Sequence, residues 1–349
     1  MNLYHLEAVA QALVAKDKGI LAADESLPTI KKRFDKIGLA STEENRRAYR
    51  ELLFTTPGLA SFISGVIMFD ETMRQSTGAG VPLPRELSEK GIIPGIKVDR
   101  GAKPLAGFPN EKITEGLDGL RDRLAEYRAL GARFAKWRAV ISIGPGLPSQ
   151  GCLKANAHAL ARYAALCQEA ELVPIVEPEV LMEGDHSLAR CQEVTLATLQ
   201  TVFAELHEQR VVLEATLLKP NMVLPGRACP QQATVEQVAR ATLHCFNEVV
   251  PAALPGIVFL SGGQSPIQAT EHLNAMNTIG PHPWELSFSY GRALQDPVLS
   301  AWQGQAANVP AAQAALYHRA RCNSAARSGQ YRPEMELHDL LEPVVETWR

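Results

Sequence analysis

The sequence predicts an α/β fold in which eight parallel strands and their connecting helices form a single closed (β/α)8 TIM barrel. Three observations favour this fold. Eight short apolar or β-branched segments recur along the 349 residues, longer segments with helical spacing separate them, and no linker or composition break divides the chain. A strand–helix unit repeated eight times is typical of a closed parallel barrel rather than an open sheet.

The predicted elements follow in chain order. The strand segments are Gly19–Glu25, Phe62–Phe69, Gly95–Asp99, Phe134–Ile141, Val173–Val180, Glu214–Pro220, Ile257–Gly262 and Glu285–Tyr290. Apolar residues at i+3 and i+4 spacing predict the main helices, namely Thr42–Phe54, Gly116–Gly131, Asn156–Ala170, His186–Gln209 and Thr234–Val249.

The predicted domain boundary lies near the end of the chain. We assign residues 1–332 to the barrel and residues 333–349 to a C-terminal helical tail. In that tail six apolar residues fall on one helical stripe, which Pro343 interrupts: Leu337, Leu340, Leu341, Val344, Val345 and Trp348. A tail packed on the barrel or on a neighbouring subunit is the expected arrangement.

Composition excludes several classes of protein. The chain has 35 basic and 38 acidic residues, a net charge of −3, so we expect no binding to nucleic acid. The longest uncharged stretch, 249–270, is broken by prolines and glycines, which argues against a membrane helix. The six cysteines form no CxxC pair and the histidines form no HExxH motif, so we expect reduced thiols, a cytoplasmic location and no metal site.

The informative residues are charges at the predicted strands, because parallel barrel strands are otherwise nearly continuous apolar runs. Lys219 follows two leucines, and burial lowers the pKa of a lysine, which makes its amine a nucleophile toward a carbonyl. A lysine that extends to the barrel rim is the alternative. Lys136 and Arg138 share one strand face by the period-two rule, as do Glu177 and Glu179. Either carboxylate is a candidate for proton transfer, or for a salt bridge to Lys136 or Arg138.

Other strand ends carry the groups that a phosphorylated substrate requires. Asp24 follows two alanines, which leave space for a ligand, although a turn or helix-cap role is the alternative. Ser261 and Gly262 begin a glycine pair whose amides suit an anion, and Arg292 follows the last strand. Lys97 is a further phosphate candidate or a member of a local ion pair with Asp99 and Arg100. Together these groups predict carbonyl chemistry on a phosphorylated sugar through a Schiff base.

Longer motifs identify the chain with a known family. The segments ILAADES, TEENRR, IKVD, AKWR, VPIVEPE, LLKPNM, FLSGGQS and SFSYGRALQ occur in that order between about residues 17 and 330. In these segments the sequence resembles the class I (Schiff-base) fructose-bisphosphate aldolases, and it looks like a bacterial-type member.

The resemblance implies a role for each matched residue. Lys219 is the Schiff-base lysine, Glu177 the general acid/base, and Asp24 acts at the C3–C4 bond. Glu179 positions Glu177. The resemblance further implies that Lys136 and Arg138 tune the electric field near Lys219 and contact substrate. It also implies that one phosphate is held by Ser261, Gly262 and Arg292, and that Lys97 and Arg33 lie near the other phosphate. It implies a cytoplasmic homotetramer that uses no cofactor and no metal.

Two departures from the family pattern stand out. The family usually continues Thr-Gly-Ser after ADES, whereas this chain has Leu27-Pro28-Thr29, so we expect altered affinity at the far phosphate. Animal-type members end in a tyrosine that assists proton transfer, whereas the sequence here ends Thr347-Trp348-Arg349, so we expect a structural role for the tail.

The site residues argue against three other functions. A transaldolase or another Schiff-base lyase would share Lys219, but two phosphate sites argue against it. A metal-dependent aldolase would need clustered histidines. A non-catalytic barrel would not need Lys219, Glu177, Asp24 and Lys136 together.

Overall fold

Eight parallel strands close into the predicted barrel. The computed structural model describes residues 2–338. Its strands are β1 Gly19–Ala23, β2 Ile63–Met68, β3 Ile93–Lys97, β4 Ala102–Pro104, β5 Lys112–Thr114, β6 Phe134–Ile141, β7 Val173–Val180, β8 Leu217–Leu218, β9 Gly256–Phe259 and β10 Glu285–Tyr290. The order around the barrel is β1-β10-β9-β8-β7-β6-β3-β2, and β4 pairs with β5 in a separate antiparallel hairpin. The predicted fold class is confirmed.

Helices connect the strands. They are α1 Leu3–Leu13, α2 Leu27–Asp35, α3 Glu43–Phe54, α4 Asp70–Met73, α5 Leu83–Glu89, α6 Leu120–Ala129, α7 Gln150–Glu169, α8 Leu188–Glu208, α9 Val235–Val249, α10 Pro266–Ile279, α11 Arg292–Trp302, α12 Val309–Arg327 and α13 Met335–His338. Residues with hydroxyl side chains are the N-caps of many helices. Thr234 and Ser265, for example, each form a capping box with the glutamine three residues later. In the part of the chain described, no helix is both long and apolar enough to span a bilayer.

The predicted bounds of β6, β7 and β10 match the observed ones, whereas β8 is much shorter than predicted. Only Leu217 and Leu218 pair as a strand, because residues Leu213–Ala215 form a 3-10 turn. The backbone N–H of Lys219 still donates to the carbonyl of Val176 at 2.8 Å, and Pro220 has no N–H with which to continue the ladder.

Pro178 lies inside β7, although a proline has no N–H with which to extend a ladder. β7 continues to Val180, and Pro178 pairs in register with Ala139 of β6. The proline is tolerated because β8 pairs only with Ile175 and Val176, so the ladder on that side has ended. The side-chain amide oxygen of Asn221 then accepts the N–H of Val180 at 2.9 Å.

Helix α1 was not predicted, and it covers the N-terminal end of the barrel. Leu6, Ala10 and Leu13 are fully buried in a cluster with barrel-interior residues of several strands. The ring of Phe134 fills this end so tightly that a Cβ placed on Gly95 would lie 2.2 Å from it. Since a protein interior leaves no such overlap, the tight packing at this end requires glycine at position 95.

Side chains alternate between two apolar layers along β6 and β7. In β6, Ala135, Trp137 and Ala139 pack into the core between strands and helices, whereas Phe134 packs inside the barrel. The alternation places Lys136 and Arg138 on the barrel-interior side, at the end opposite α1. The prediction that this pair shares one face is confirmed.

The tail falls mostly outside the described residues. Helix α13 is the visible beginning of the predicted stripe, and Leu337 in it is exposed. The remaining stripe residues, together with Pro343, lie outside the described part of the chain.

Candidate active site

A cavity opens at the C-terminal ends of the barrel strands. It has a volume of about 1060 Å³. The cavity is lined by every residue that the sequence predicted to belong to the site: Asp24, Arg33, Lys97, Lys136, Arg138, Glu177, Glu179, Lys219, Ser261, Gly262 and Arg292. The sequence positions span most of the chain, and the barrel brings them to one mouth because all parallel strands end there.

Two lysines and two carboxylates form a buried cluster at the floor of the cavity. Nζ of Lys219 lies 3.6 Å from Oε1 of Glu177, and Nζ of Lys136 lies 3.1 Å from Oε2 of the same carboxylate. Nζ of Lys136 also lies 2.7 Å from Oδ2 of Asp24. Lys219 is 3% exposed, which excludes the alternative of a lysine that extends to the rim.

The two lysines of this cluster have pKa values shifted in opposite directions. Burial lowers the pKa of Lys219, and the positive charge of Lys136 lowers it further, against the opposing effect of the carboxylates. Burial would also lower the pKa of Lys136, but Asp24 and Glu177 outweigh it and raise that pKa well above its usual value. Lys219 is therefore the amine that is readily uncharged, and Lys136 is a fixed cation beside it.

Asp24 is the carboxylate that stays ionised. Burial would raise its pKa, but the ammonium groups of Lys136 and Lys219 outweigh that effect and hold the pKa of Asp24 far below its usual value. An ionised carboxylate that faces the cavity is able to accept a proton from a bound hydroxyl group.

Arg138 and Glu179 form the next pair toward the mouth. Nε of Arg138 lies 2.5 Å from Oε2 of Glu179. This is the salt bridge that was one of the two predicted roles of Glu179. Burial would lower the pKa of Arg138, but Glu179 raises it above its usual value, so the guanidinium is a permanent charge. The backbone N–H of Arg138 donates to Oδ2 of Asp99 at 3.1 Å, which ties β6 to the loop after β3.

Lys97 is held by that same loop. Its Nζ lies 2.7 Å from Oδ1 of Asp99 and donates to the carbonyl oxygen of Asp99 at 2.9 Å. The expected local ion pair is therefore present, without Arg100. The lysine lines the cavity while it makes this pair, so the ion pair and a contact with substrate are compatible.

Arg33 belongs to a buried network that sequence reasoning missed. Its guanidinium pairs with Oε1 of Glu25, and Nη2 of Arg50 lies 2.6 Å from Oε2 of Glu25. Nε2 of Gln295 donates to Oε1 of Glu25 at 2.8 Å, and the hydroxyl of Tyr49 donates to Oε1 of Gln295 at 3.0 Å. The sequence does contain a signal for this network, because Glu25 is a second carboxylate directly after Asp24 in the ADES motif.

The glycine pair after β9 has a backbone conformation that side chains disfavour. Gly262 and Gly263 have φ values of 57° and 90°, which favour glycine, and Ser261 before them is buried. The N–H of Leu260 donates to the carbonyl of Pro220 at 3.1 Å, so this loop is adjacent to Lys219. Arg292 begins α11 and faces the same cavity.

The unusual Leu27-Pro28-Thr29 segment forms the first turn of α2. Pro28 occupies a position in that turn that needs no N–H donor, and Leu27 is exposed. The hydroxyl groups of Ser26 and Thr29 lie 3.0 Å apart, and both residues line the cavity.

One group of potential metal ligands lies elsewhere in the described residues. His318, Cys322 and Glu336 have ligand atoms within 4.8 Å of one another, and none of them lines the cavity. Nη1 of Arg319 already lies 2.5 Å from both carboxylate oxygens of Glu336, so the carboxylate charge is neutralised by a guanidinium.

Comparison with known proteins identifies the family. The family model described as "Glycolytic: Fructose-bisphosphate aldolase class-I" matches residues 5–343. The chain belongs to the class I fructose-bisphosphate aldolase family. The resemblance inferred from the motifs is thus confirmed.

Individual relatives cover nearly the whole chain. A "Probable fructose-bisphosphate aldolase class 1" of Xylella fastidiosa (strain Temecula1) is 60% identical over 95% of this chain and 100% of its own length. "Fructose-bisphosphate aldolase 1" of Toxoplasma gondii is 53% identical over 92% and 89%. A crystal structure of the Plasmodium falciparum aldolase, in complex with TRAP and an inhibitor, has a TM-score of 0.93 at 52% identity and covers 94% of this chain and 95% of its own. The higher identity to the bacterial relative agrees with the expected bacterial type.

Proposed function

We propose that this chain reversibly cleaves D-fructose 1,6-bisphosphate into dihydroxyacetone phosphate and D-glyceraldehyde 3-phosphate through a Schiff base on Lys219. Membership of the class I aldolase family supports the reaction. The observation that carries the assignment of the residue is the position of Lys219, a buried amine with a lowered pKa whose Nζ is 3.6 Å from a carboxylate oxygen of Glu177.

The first half of the reaction forms the imine. The uncharged amine of Lys219 adds to the C2 ketone of the sugar, and Glu177 donates the proton with which the resulting hydroxyl leaves as water. The product is a protonated imine. Lys136 remains charged beside it, and its interaction with Asp24 and Glu177 keeps those carboxylates oriented toward the floor of the cavity.

The second half breaks the carbon–carbon bond. A carboxylate removes the proton of the C4 hydroxyl, and Asp24 and Glu177 are both candidates for this base. The C4–O bond becomes a carbonyl, the C3–C4 bond breaks, and its electron pair moves into the iminium to give an enamine. Glyceraldehyde 3-phosphate leaves. A proton then adds to C3, water adds to the imine, and dihydroxyacetone phosphate leaves with Lys219 regenerated.

The remaining site residues are assigned to substrate positioning. Ser261, Gly262 and Arg292 hold the phosphate nearest Lys219, and Lys97 and Arg33 interact with the other phosphate. Glu179 holds Arg138, which contacts substrate from the wall of the cavity. These roles rest on the matched motifs and on the position of every one of these side chains at one cavity.

Several broader properties belong to the same proposal. Residues 1–332 are assigned to one barrel domain and residues 333–349 to a tail. We assign a homotetramer, by likeness to the family. A cytoplasmic location fits the six free cysteines, five of which are buried.

Trapping with borohydride tests the central assignment. Reduction in the presence of substrate should fix the three-carbon or six-carbon adduct on Lys219, identified by peptide mass mapping. Lys219→Met should lose the adduct and at least about 10³-fold in kcat. Lys154→Met, which removes an exposed lysine of α7, is the matched control and should change neither.

Two results would contradict the proposal. The first is an adduct on a different lysine with full activity in Lys219→Met. The second is loss of activity of the wild type when divalent cations are removed by a chelator. Parallel assays on fructose 1,6-bisphosphate and fructose 1-phosphate will define which sugar is preferred.

A further inference from the structure

Two arginine side chains converge on the glycine pair after β9. Nη2 of Arg227, in the loop after β8, donates to the carbonyl oxygen of Gly263 at 3.2 Å. A Cβ placed on Gly263 would lie 2.4 Å from Nη2 of Arg227 and 3.4 Å from Nη2 of Arg292. The two guanidinium groups are therefore neighbours at the glycine pair. Arg292 lines the cavity, and Arg227, which is exposed, approaches from the loop after β8.

Neither arginine has an acidic partner within residues 2–338. No carboxylate oxygen lies within 4.0 Å of either guanidinium there, although most other arginines of the chain form such pairs. Two neighbouring cations without a counterion repel each other. A dianionic phosphate between them would remove this repulsion and accept charge-assisted hydrogen bonds from both.

The backbone around Arg227 is held firmly against the neighbouring loop. The N–H of Gly226 donates to the carbonyl of His186 at 2.7 Å, and the N–H of Arg227 donates to that of Met182 at 2.8 Å. A Cβ at Gly226 would lie 2.4 Å from the carbonyl oxygen of Gly184, so the two loops are in direct backbone contact. The Arg227 side chain therefore extends from a fixed point toward Gly263.

The location defines which phosphate is concerned. The loop that contains Gly263 is connected to the residue after Lys219 through the hydrogen bond from Leu260 to Pro220. If Lys219 is bonded to C2 of the sugar, the phosphate held by this loop is the one on C1, the adjacent carbon.

We propose that Arg227 is a second arginine that binds the C1 phosphate, opposite Arg292, and that it strengthens binding of the ketose and of the three-carbon product that keeps this phosphate. The inference rests on the proposed function, because the C1 phosphate is defined by the Schiff base on Lys219. It concerns a binding residue and leaves the proton transfers unchanged.

The condensation reaction tests the proposal, because it separates the two phosphates. Dihydroxyacetone phosphate carries only the C1 phosphate, and glyceraldehyde 3-phosphate carries only the other. Arg227→Gln should raise KM for dihydroxyacetone phosphate by about tenfold, as expected for loss of one charge-assisted hydrogen bond. KM for glyceraldehyde 3-phosphate should change by less than about twofold, and Arg227→Lys should recover part of the loss.

A matched control and a separate readout keep the two proposals distinct. Arg240→Gln removes an exposed arginine of α9 that pairs with Glu236 at 2.8 Å, and both KM values should stay unchanged. An unchanged KM for dihydroxyacetone phosphate in Arg227→Gln, or an equal rise in both KM values, would overturn the inference alone. Failure of the wild type to form a borohydride-trapped adduct on Lys219 with dihydroxyacetone phosphate would overturn the proposed function, and this inference with it.

Discussion

Lys136 and Asp24 form an ion pair of 2.7 Å between Nζ and Oδ2 at the floor of the barrel, where both side chains are largely removed from water. The pair joins β6 to the end of β1, which are far apart in the sequence. Burial lowers the pKa of Lys219, and the charge that Lys136 retains in this pair lowers it further, so the two lysines differ in protonation.

Replacing Lys136 by methionine should move imine formation to higher pH. Without the ammonium group, Lys219 loses a neighbouring positive charge that disfavours its own, while Asp24 and Glu177 still favour it. The pKa of Lys219 therefore rises, and less of the amine is uncharged at neutral pH. We expect kcat to fall by roughly 10²-fold or more. The rate of borohydride trapping against pH measures the shift. Lys136→Arg keeps the charge and should keep the wild-type pH profile, and an unshifted profile in Lys136→Met would refute the argument.

Removing the charge of Glu25 should weaken the fold in a pH-dependent way. Burial would raise the pKa of Glu25, but Arg33 and Arg50 lower it below its usual value of 4.5. A carboxylate with a lowered folded-state pKa stabilises the fold above about pH 4.5 and loses this effect as the pH falls through the folded-state pKa. Glu25→Gln leaves Arg50 buried without its partner, which should cost about 3 kcal/mol of unfolding free energy at pH 7.

Urea unfolding at several pH values measures this effect. The difference between wild type and Glu25→Gln should shrink as the pH is lowered from 7 toward the acid range. Glu44→Gln is the control, because Glu44 is exposed and pairs with Arg47 on the surface. A constant difference at all pH values would show that the loss is not electrostatic.

Lys97 should distinguish sugars with one and two phosphates. If it interacts with the phosphate far from Lys219, Lys97→Met should raise KM for fructose 1,6-bisphosphate by roughly tenfold. KM for fructose 1-phosphate, which lacks that group, should change by less than about twofold. Lys97→Arg retains a cation and should have a smaller effect. Equal losses on both sugars would place Lys97 away from the far phosphate.

The contact between Gly95 and Phe134 should control the stability of the N-terminal end of the barrel. Gly95→Ala places a methyl group on the ring and should destabilise the protein by about 1–3 kcal/mol. In the double variant with Phe134→Leu, the loss should be smaller than the sum of the single losses, because the two positions touch. Denaturant unfolding measures all three. Gly78→Ala is the control, since its Cβ would make only ordinary contacts, at 3.7 Å or more.

The sequence by itself determined the barrel and the chemistry of its mouth. Alternating strand and helix segments predicted the architecture, and charges such as Lys219 and Glu177 in apolar strands marked the C-terminal ends. These features could be predicted because side chains alternate along any strand and because all parallel barrel strands end at the same edge.

Only the tertiary structure decided which charged groups meet. The partners of Arg33, the Glu25–Arg50–Gln295 network and the approach of Arg227 to Arg292 depend on distances between segments that lie far apart in the chain. Helix α1 and the short β8 were likewise set by packing and by hydrogen-bond partners, not by local preference. A side chain's pKa and its partners are properties of the folded interior, since burial and neighbouring charge exist only after the strands have closed.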